Sequence, residues 1–185
     1  MLSLGGYCIG HANVGTTELS DEYLPSLFEA PGVIQLVQAG NLRSSIEIIE
    51  RAYDMDLVEK LVIATDTPTG TGVMPLGMIK TVCELSSLAG LRATDALALA
   101  TGNNAAVLRR PEGILEEGRP ADLFCMFAPL GSSCDTPLEA IQFGDIPGIA
   151  AVMIDGEVRA LRSRNTPAPD GECRLIERGS VEADA

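Results

Sequence analysis

Leu61-Val62-Ile63-Ala64-Thr65-Asp66-Thr67-Pro68-Thr69-Gly70-Thr71-Gly72-Val73-Met74-Pro75 changes character at Asp66. The five residues before it are apolar or β-branched without alternation, as in a strand covered on both faces. Beyond Asp66, proline and glycine interrupt the chain too often for helix or strand. Leu76, Ile79, Val82 and Cys83 then resume at helical spacing, up to about Gly90. A strand, a carboxylate at its C-terminal end, an irregular loop and a helix make one unit of a parallel α/β sheet or barrel.

The same unit recurs upstream. Residues 6–10 read as a short strand ending at His11. Ser20 is placed to cap a helix with Leu24, Leu27 and Phe28 on one face, and Pro25 weakens the start of that helix. Pro31-Gly32 introduces Val33-Ile34-Gln35-Leu36-Val37, a second buried strand. Leu42, Ile46 and Ile49 follow at helical spacing, with Glu47, Glu50 and Arg51 on the wet side. Downstream, Thr94 is placed to cap a further helix running to residues 103–108. The fold class expected over residues 1–110 is therefore α/β with parallel strands.

The texture changes after Pro111. Residues 113–118 and 121–127 read as short strands, and residues 138–143 as one or two helical turns. Residues 149–154 and 157–161, joined by Asp155-Gly156, read as a hairpin. Residues 111–164 are thus expected to form a small β-rich module. Residues 165–185, rich in proline, charge and small side chains, are expected to fray.

With 46% hydrophobic residues in 185, the chain can bury a sizeable core. Its formal net charge of −13 repels nucleic-acid phosphate and anionic membrane surfaces. No apolar run reaches the length of a membrane span, and residues 1–6 lack the basic start of a signal peptide. The five cysteines, at positions 8, 83, 125, 134 and 173, are odd in number and show no CxxC spacing. They suggest neither a disulfide framework nor a zinc knuckle, and they suit a reducing cytoplasm.

Two residues draw attention as chemistry. His11, the only histidine, follows a strand; it reads either as a hydrogen-bonded structural residue or as a metal ligand or proton shuttle. Asp66 reads either as a turn-forming residue before Thr67-Pro68 or as a carboxylate that binds metal and takes a proton from water. In a parallel barrel both would project at the rim where active sites are built. One imidazole and one carboxylate fall short of the roughly three protein ligands of a catalytic zinc. Gln38, after the second strand, and Thr69 and Gly70, in the loop after Asp66, are candidate substrate contacts. The Gly70-Thr71-Gly72 loop lacks the Gly-Lys-Ser/Thr of a phosphate cradle. Cys8 reads as a small buried residue.

The stretch from Val62 to Gly77 resembles the amidohydrolase superfamily, and within it the enamidases. So do Ala100-Thr101-Gly102-Asn103-Asn104-Ala105-Ala106, residues 113–123, Gly144-Asp145-Ile146-Pro147-Gly148-Ile149 and Ser163-Arg164-Asn165-Thr166-Pro167. The similarity runs from about residue 10 to residue 167. It implies a distorted (β/α)8 barrel with a small β-sandwich built from both chain ends. It also implies one or two divalent metals, zinc first and iron second, and a small cyclic amide as substrate. His11 matches the last histidine ligand, after the sixth strand. Asp66 matches the final aspartate, both a ligand and the base toward the metal-activated water. The other ligands of the superfamily have no counterpart here.

A complete barrel takes about 250 residues. The chain is therefore expected to hold strands six to eight plus most of the sandwich, as a fragment inactive alone, from a cytoplasmic homo-oligomer when full-length. The alternatives are a half barrel completed by a partner chain, and a non-catalytic α/β binding module.

Overall fold

The computed structural model describes residues 7–13, 22–68 and 72–176. Strands β1 (Cys8–Ile9), β2 (Val33–Val37) and β3 (Leu61–Ala64) form a parallel sheet in that order, with Ile34 opposite Leu61 and Ile9 opposite Ile34. Helix α1 (Leu24–Glu29) connects β1 to β2. Helix α2 (Leu42–Asp54) and a 3₁₀ turn (Val58–Lys60) connect β2 to β3. These are the β/α units expected from the sequence, and their strands point the same way. Ser20 lies outside the described residues. Pro25 stands in the first turn of α1, where a missing N–H costs nothing, so it opens that helix instead of weakening it.

Ile34, Leu36, Leu61 and Ile63 pack into one core with Phe28 of α1, Ile48, Ile49 and Ala52 of α2, and Val82 and Leu85 of α3 (Gly77–Leu88). Each of the larger side chains among these contributes about 1.5–3 kcal/mol by leaving water. Asn41 caps α2 through its Oδ1, which accepts from the Ser44 N–H at 2.9 Å. Cys8 is exposed, on the edge strand of the sheet, and is not the buried residue its sequence suggested.

The single helix expected after Thr94 is broken at Thr101 into α4 (Ala93–Ala100) and α5 (Gly102–Leu108). The break has a use. Asn103 Nδ2 donates to the Glu59 and Leu61 carbonyls at 3.2 Å each, and Asn104 Nδ2 donates to the Ile63 carbonyl at 2.7 Å. Two side chains thus occupy backbone acceptors along the outer edge of β3, which would otherwise invite another strand.

Strands β4 (Leu123–Phe127), β5 (Gly148–Ile154) and β6 (Glu157–Leu161) form a separate antiparallel sheet. Asp155 (φ 52°) and Gly156 (φ 75°) make the expected two-residue hairpin turn. Residues 113–118 are not a strand. Gly113 and Gly118 are both left-handed, and a Cβ on Gly113 would lie 2.9 Å from Ala105 Cβ, so the segment turns tightly against α5.

A boundary at residue 110 does not separate two cores. Helix α6 (Pro137–Phe143) puts Ile141 into the core of the parallel sheet. Gln142 Nε2 donates to the Ser86 carbonyl at 2.8 Å, while its Oε1 accepts from the Ala93 N–H at 3.1 Å. One side chain thereby ties α6 to the end of α3 and the start of α4. The first part of the expected fraying tail is also anchored. The Leu130 N–H donates to the Ala168 carbonyl at 2.7 Å, and the Ile149 N–H donates to Thr166 Oγ1 at 3.2 Å. Among the described residues no helix is long and apolar enough to cross a membrane.

Candidate active site

Because β1, β2 and β3 are parallel, their C-terminal ends open on one rim. His11 lies just beyond β1 and Asp66 just beyond β3. Both are left-handed, with φ of 56° and 53°. That region is uncommon for residues other than glycine and serves here to turn each side chain out of its strand. His11 Nε2 stands 3.6 Å from Asp66 Oδ1, across the end of the central strand, with the two side chains 50% and 31% exposed. At that separation the atoms are too far apart for a good hydrogen bond. Both side chains are partly exposed to solvent.

The residue that fixes this geometry is Asn13, which drew no attention in the sequence. It is only 2% exposed. Its Oδ1 accepts from the Val37 N–H at 2.9 Å, and its Nδ2 donates to the Val37 carbonyl at 2.8 Å and to Ser45 Oγ at 2.7 Å. A side-chain amide thereby continues the ladder between β1 and β2 beyond the point where β1 ends. The Ala12 N–H, donating to the Gln35 carbonyl at 2.9 Å, completes the anchor. His11 is held from its C-terminal side by these bonds.

A family model for the amidohydrolase family matches residues 14–159. The chain belongs to the amidohydrolase family. The match includes Asp66 and begins just after Asn13. The chain is also 36% identical over 169 residues to enamidase from Eubacterium barkeri, covering 91% of this chain and 44% of that protein. The crystal structure of enamidase, described as a new member of the amidohydrolase superfamily, superposes with a TM-score of 0.87 at 34% identity, again over 91% of this chain and 44% of the other. A β-aspartyl dipeptidase from Fervidobacterium islandicum superposes with a TM-score of 0.51 at 19% identity, over 86% of this chain and 40% of that one, a likeness of fold alone. This amidohydrolase chain therefore spans less than half the length of the relatives it matches.

The His11–Asp66 pair can be tested against a metal ion. Bonds of about 2.0–2.2 Å from one zinc to both atoms would place them roughly 3.3–3.6 Å apart at near-tetrahedral angles. The observed 3.6 Å fits. The pair supplies two donors, and no group of three metal-ligating side chains occurs among the described residues. Thr69 and Gly70 lie outside the described residues. Gln38 follows β2 directly, its N–H donating to the Ala64 carbonyl at 2.9 Å. Its side-chain Oε1 is buried and accepts no hydrogen bond among the described residues.

An orphaned buried acceptor costs about 1–3 kcal/mol. Gln38→Met, which keeps the length of the side chain and removes the oxygen, is therefore expected to leave the melting temperature unchanged or raise it. A clear drop in a thermal melt would mean that Oε1 is satisfied in solution.

Proposed function

We propose that this amidohydrolase chain carries part of the metal site and the proton-transferring carboxylate of a hydrolase that opens a cyclic amide at its C–N bond. The observation that carries this reading is the meeting of His11 Nε2 and Asp66 Oδ1 at 3.6 Å on the rim where the parallel strands end. The family match and the likeness to enamidase support it. A divalent cation, zinc before iron and one ion or two, would supply a Lewis acid and a water of lowered pKa. His11 would hold it through Nε2 as the neutral imidazole. Asp66 would be both a ligand and the base that takes a proton from the attacking water and returns it to the leaving ring nitrogen. The remaining ligands would come from polypeptide outside the described residues.

Gln38, Thr69 and Gly70 are the proposed substrate contacts. Gln38 directly follows β2, between the ends of the strands that carry His11 and Asp66. Thr69 and Gly70 belong to the loop that leaves Asp66. The small antiparallel sheet is read as one layer of a β-sandwich, and the working enzyme as a cytoplasmic homo-oligomer.

The test is metal removal and return in a preparation that opens a cyclic amide. Chelation should abolish turnover, and stoichiometric zinc or ferrous iron should restore it. His11→Ala should lower the bound metal along with the rate. Turnover that survives both chelation and loss of His11 would discard the reading.

A further inference from the structure

The segment after β6 runs back along the free edge of β4. The Leu130 N–H donates to the Ala168 carbonyl, Pro129 bridges Pro169, and the Asp170 N–H donates to the Ala128 carbonyl at 2.9 Å. The three contacts share one antiparallel register, in which each step forward on one segment is a step back on the other. Two residues further, that register sets Gly171 opposite Phe127. The aromatic ring fills the space there, since a Cβ on Gly171 would lie 2.3 Å from Phe127 Cε1. Two residues further still, it sets Cys173 opposite Cys125.

Three observations support the extension. Burial alternates along this stretch: Pro169, Gly171 and Cys173 are half-buried, while Asp170, Glu172 and Arg174 are exposed. Cys125 is close enough to Cys173 to add, after burial, to the upward push on its thiol. The one register shift between β4 and β5 leaves consecutive residues of β4 in place, as Met126 follows Cys125 while the partner moves from Ala151 to Ile149. The order along β4 is therefore unbroken from Leu130 to Cys125.

Since residues 128 and 130 make the backbone bonds to this segment, positions 129, 127 and 125 face non-hydrogen-bonded partners. Opposed Cα atoms at such positions lie about 4.5 Å apart, within the range of about 4.4–6.8 Å that a disulfide spans. We propose that Cys125 and Cys173 are a redox modification site, a dithiol that closes to a disulfide on exchange with a low-molecular-weight disulfide such as oxidised glutathione. One protein thiolate attacks that disulfide, forming a mixed disulfide and releasing one reduced small thiol. The second protein thiolate then attacks the protein sulfur of the mixed disulfide and releases the other small thiol. Two protein S–H bonds are exchanged for one S–S bond, the small disulfide takes up two electrons, and the two protons go to the released thiols.

The other cysteines are placed differently. Cys8 belongs to the parallel sheet, Cys83 is buried with its Sγ donating to the Asp145 carbonyl at 3.3 Å, and Cys134 lies on the loop before α6. Desolvation and the neighbouring Cys125 raise the Cys173 thiol above its usual range, so exchange should quicken as pH rises. Once closed, the bond would fasten the segment around Pro169 to β4. Pro169 packs on Gly148, so the start of β5 would be held as well.

The test equilibrates the purified chain across glutathione redox buffers and maps its disulfides by mass spectrometry. Cleavage at Arg159 and Arg164 separates the peptides carrying Cys125 and Cys173, and fragmentation distinguishes Cys125 from Cys134. The expected result is a Cys125–Cys173 cross-link as the dominant species at oxidising poise, reversed by dithiothreitol. A rise in melting temperature on the order of 5 °C should accompany it. Cys173→Ser and Cys125→Ala should each abolish both the cross-link and the rise, and Cys134→Ser should abolish neither. In urea the pairing should become statistical. Free, alkylatable thiols at 125 and 173 under oxidising poise, or statistical pairing without urea, would overturn the proposal. Neither readout depends on turnover, so its failure is separable from failure of the hydrolase reading.

Discussion

Asp66→Asn is expected to slow amide hydrolysis by about 10²–10⁴-fold, the span a positioned acid–base group contributes, while the protein keeps most of its metal. The carboxamide retains an oxygen in the position of Oδ1, 3.6 Å from His11 Nε2, so a ligand atom survives. What it loses is the capacity to accept a proton from water and pass it on. His11→Ala should behave differently. It deletes a nitrogen donor and leaves the carboxylate, so metal content and rate should fall together, and added metal should recover part of the loss. Metal stoichiometry and kcat measured on the same samples separate the two roles. If Asp66→Asn keeps more than about half of the wild-type kcat, Asp66 is not the base. If it loses its metal as completely as His11→Ala, the carboxylate acts chiefly as a ligand, and the proton must travel by another group.

The parts legible in the sequence were those whose signal is local. Val33–Val37 and Leu61–Ala64 are short, mostly β-branched apolar runs interrupted only by Gln35, the pattern of a strand covered on both faces. His11 and Asp66 stand out because each is a polar, chemically capable residue where a strand stops. The illegible parts depend on register. Asn13 reads as an ordinary loop residue, and its role exists only because β2 brings Val37 alongside it. Residues 113–118 carry Ile114 and Leu115 as a strand would, but two left-handed glycines turn the segment before it can pair. The helix after Thr94 has no proline to announce its break, which instead delivers Asn103 and Asn104 to the edge of β3. Spacing in the chain suggested no disulfide pairing, because Cys125 and Cys173 become neighbours only through the register set at Pro129 and Pro169.

Asn13→Ala is expected to destabilise the protein by about 2–4 kcal/mol. The substitution removes three hydrogen bonds of 2.7–2.9 Å. The bonds count less than what is left behind. Val37 is 3% exposed, so its N–H would face a protein interior with no partner, at about 1–3 kcal/mol, while its carbonyl would keep only the Gly40 N–H at 3.0 Å. A domain of this size has only about 5–15 kcal/mol in total. Longer side chains offer no rescue, because Gly40 is packed so closely that its missing Cβ would lie 2.4 Å from Asn13 Nδ2. Asn13→Asp should be worse than Asn13→Ala at neutral pH, since a carboxylate accepts from the Val37 N–H but turns a negative charge toward the Val37 carbonyl. Ser45→Ala, which takes away only the outermost partner, should cost about 1 kcal/mol. Urea midpoints should therefore fall in the order wild type, Ser45→Ala, Asn13→Ala, Asn13→Asp. If Asn13→Ala lies within 1 kcal/mol of wild type, water reaches Val37 and the side-chain extension of the ladder does not hold His11 at the rim.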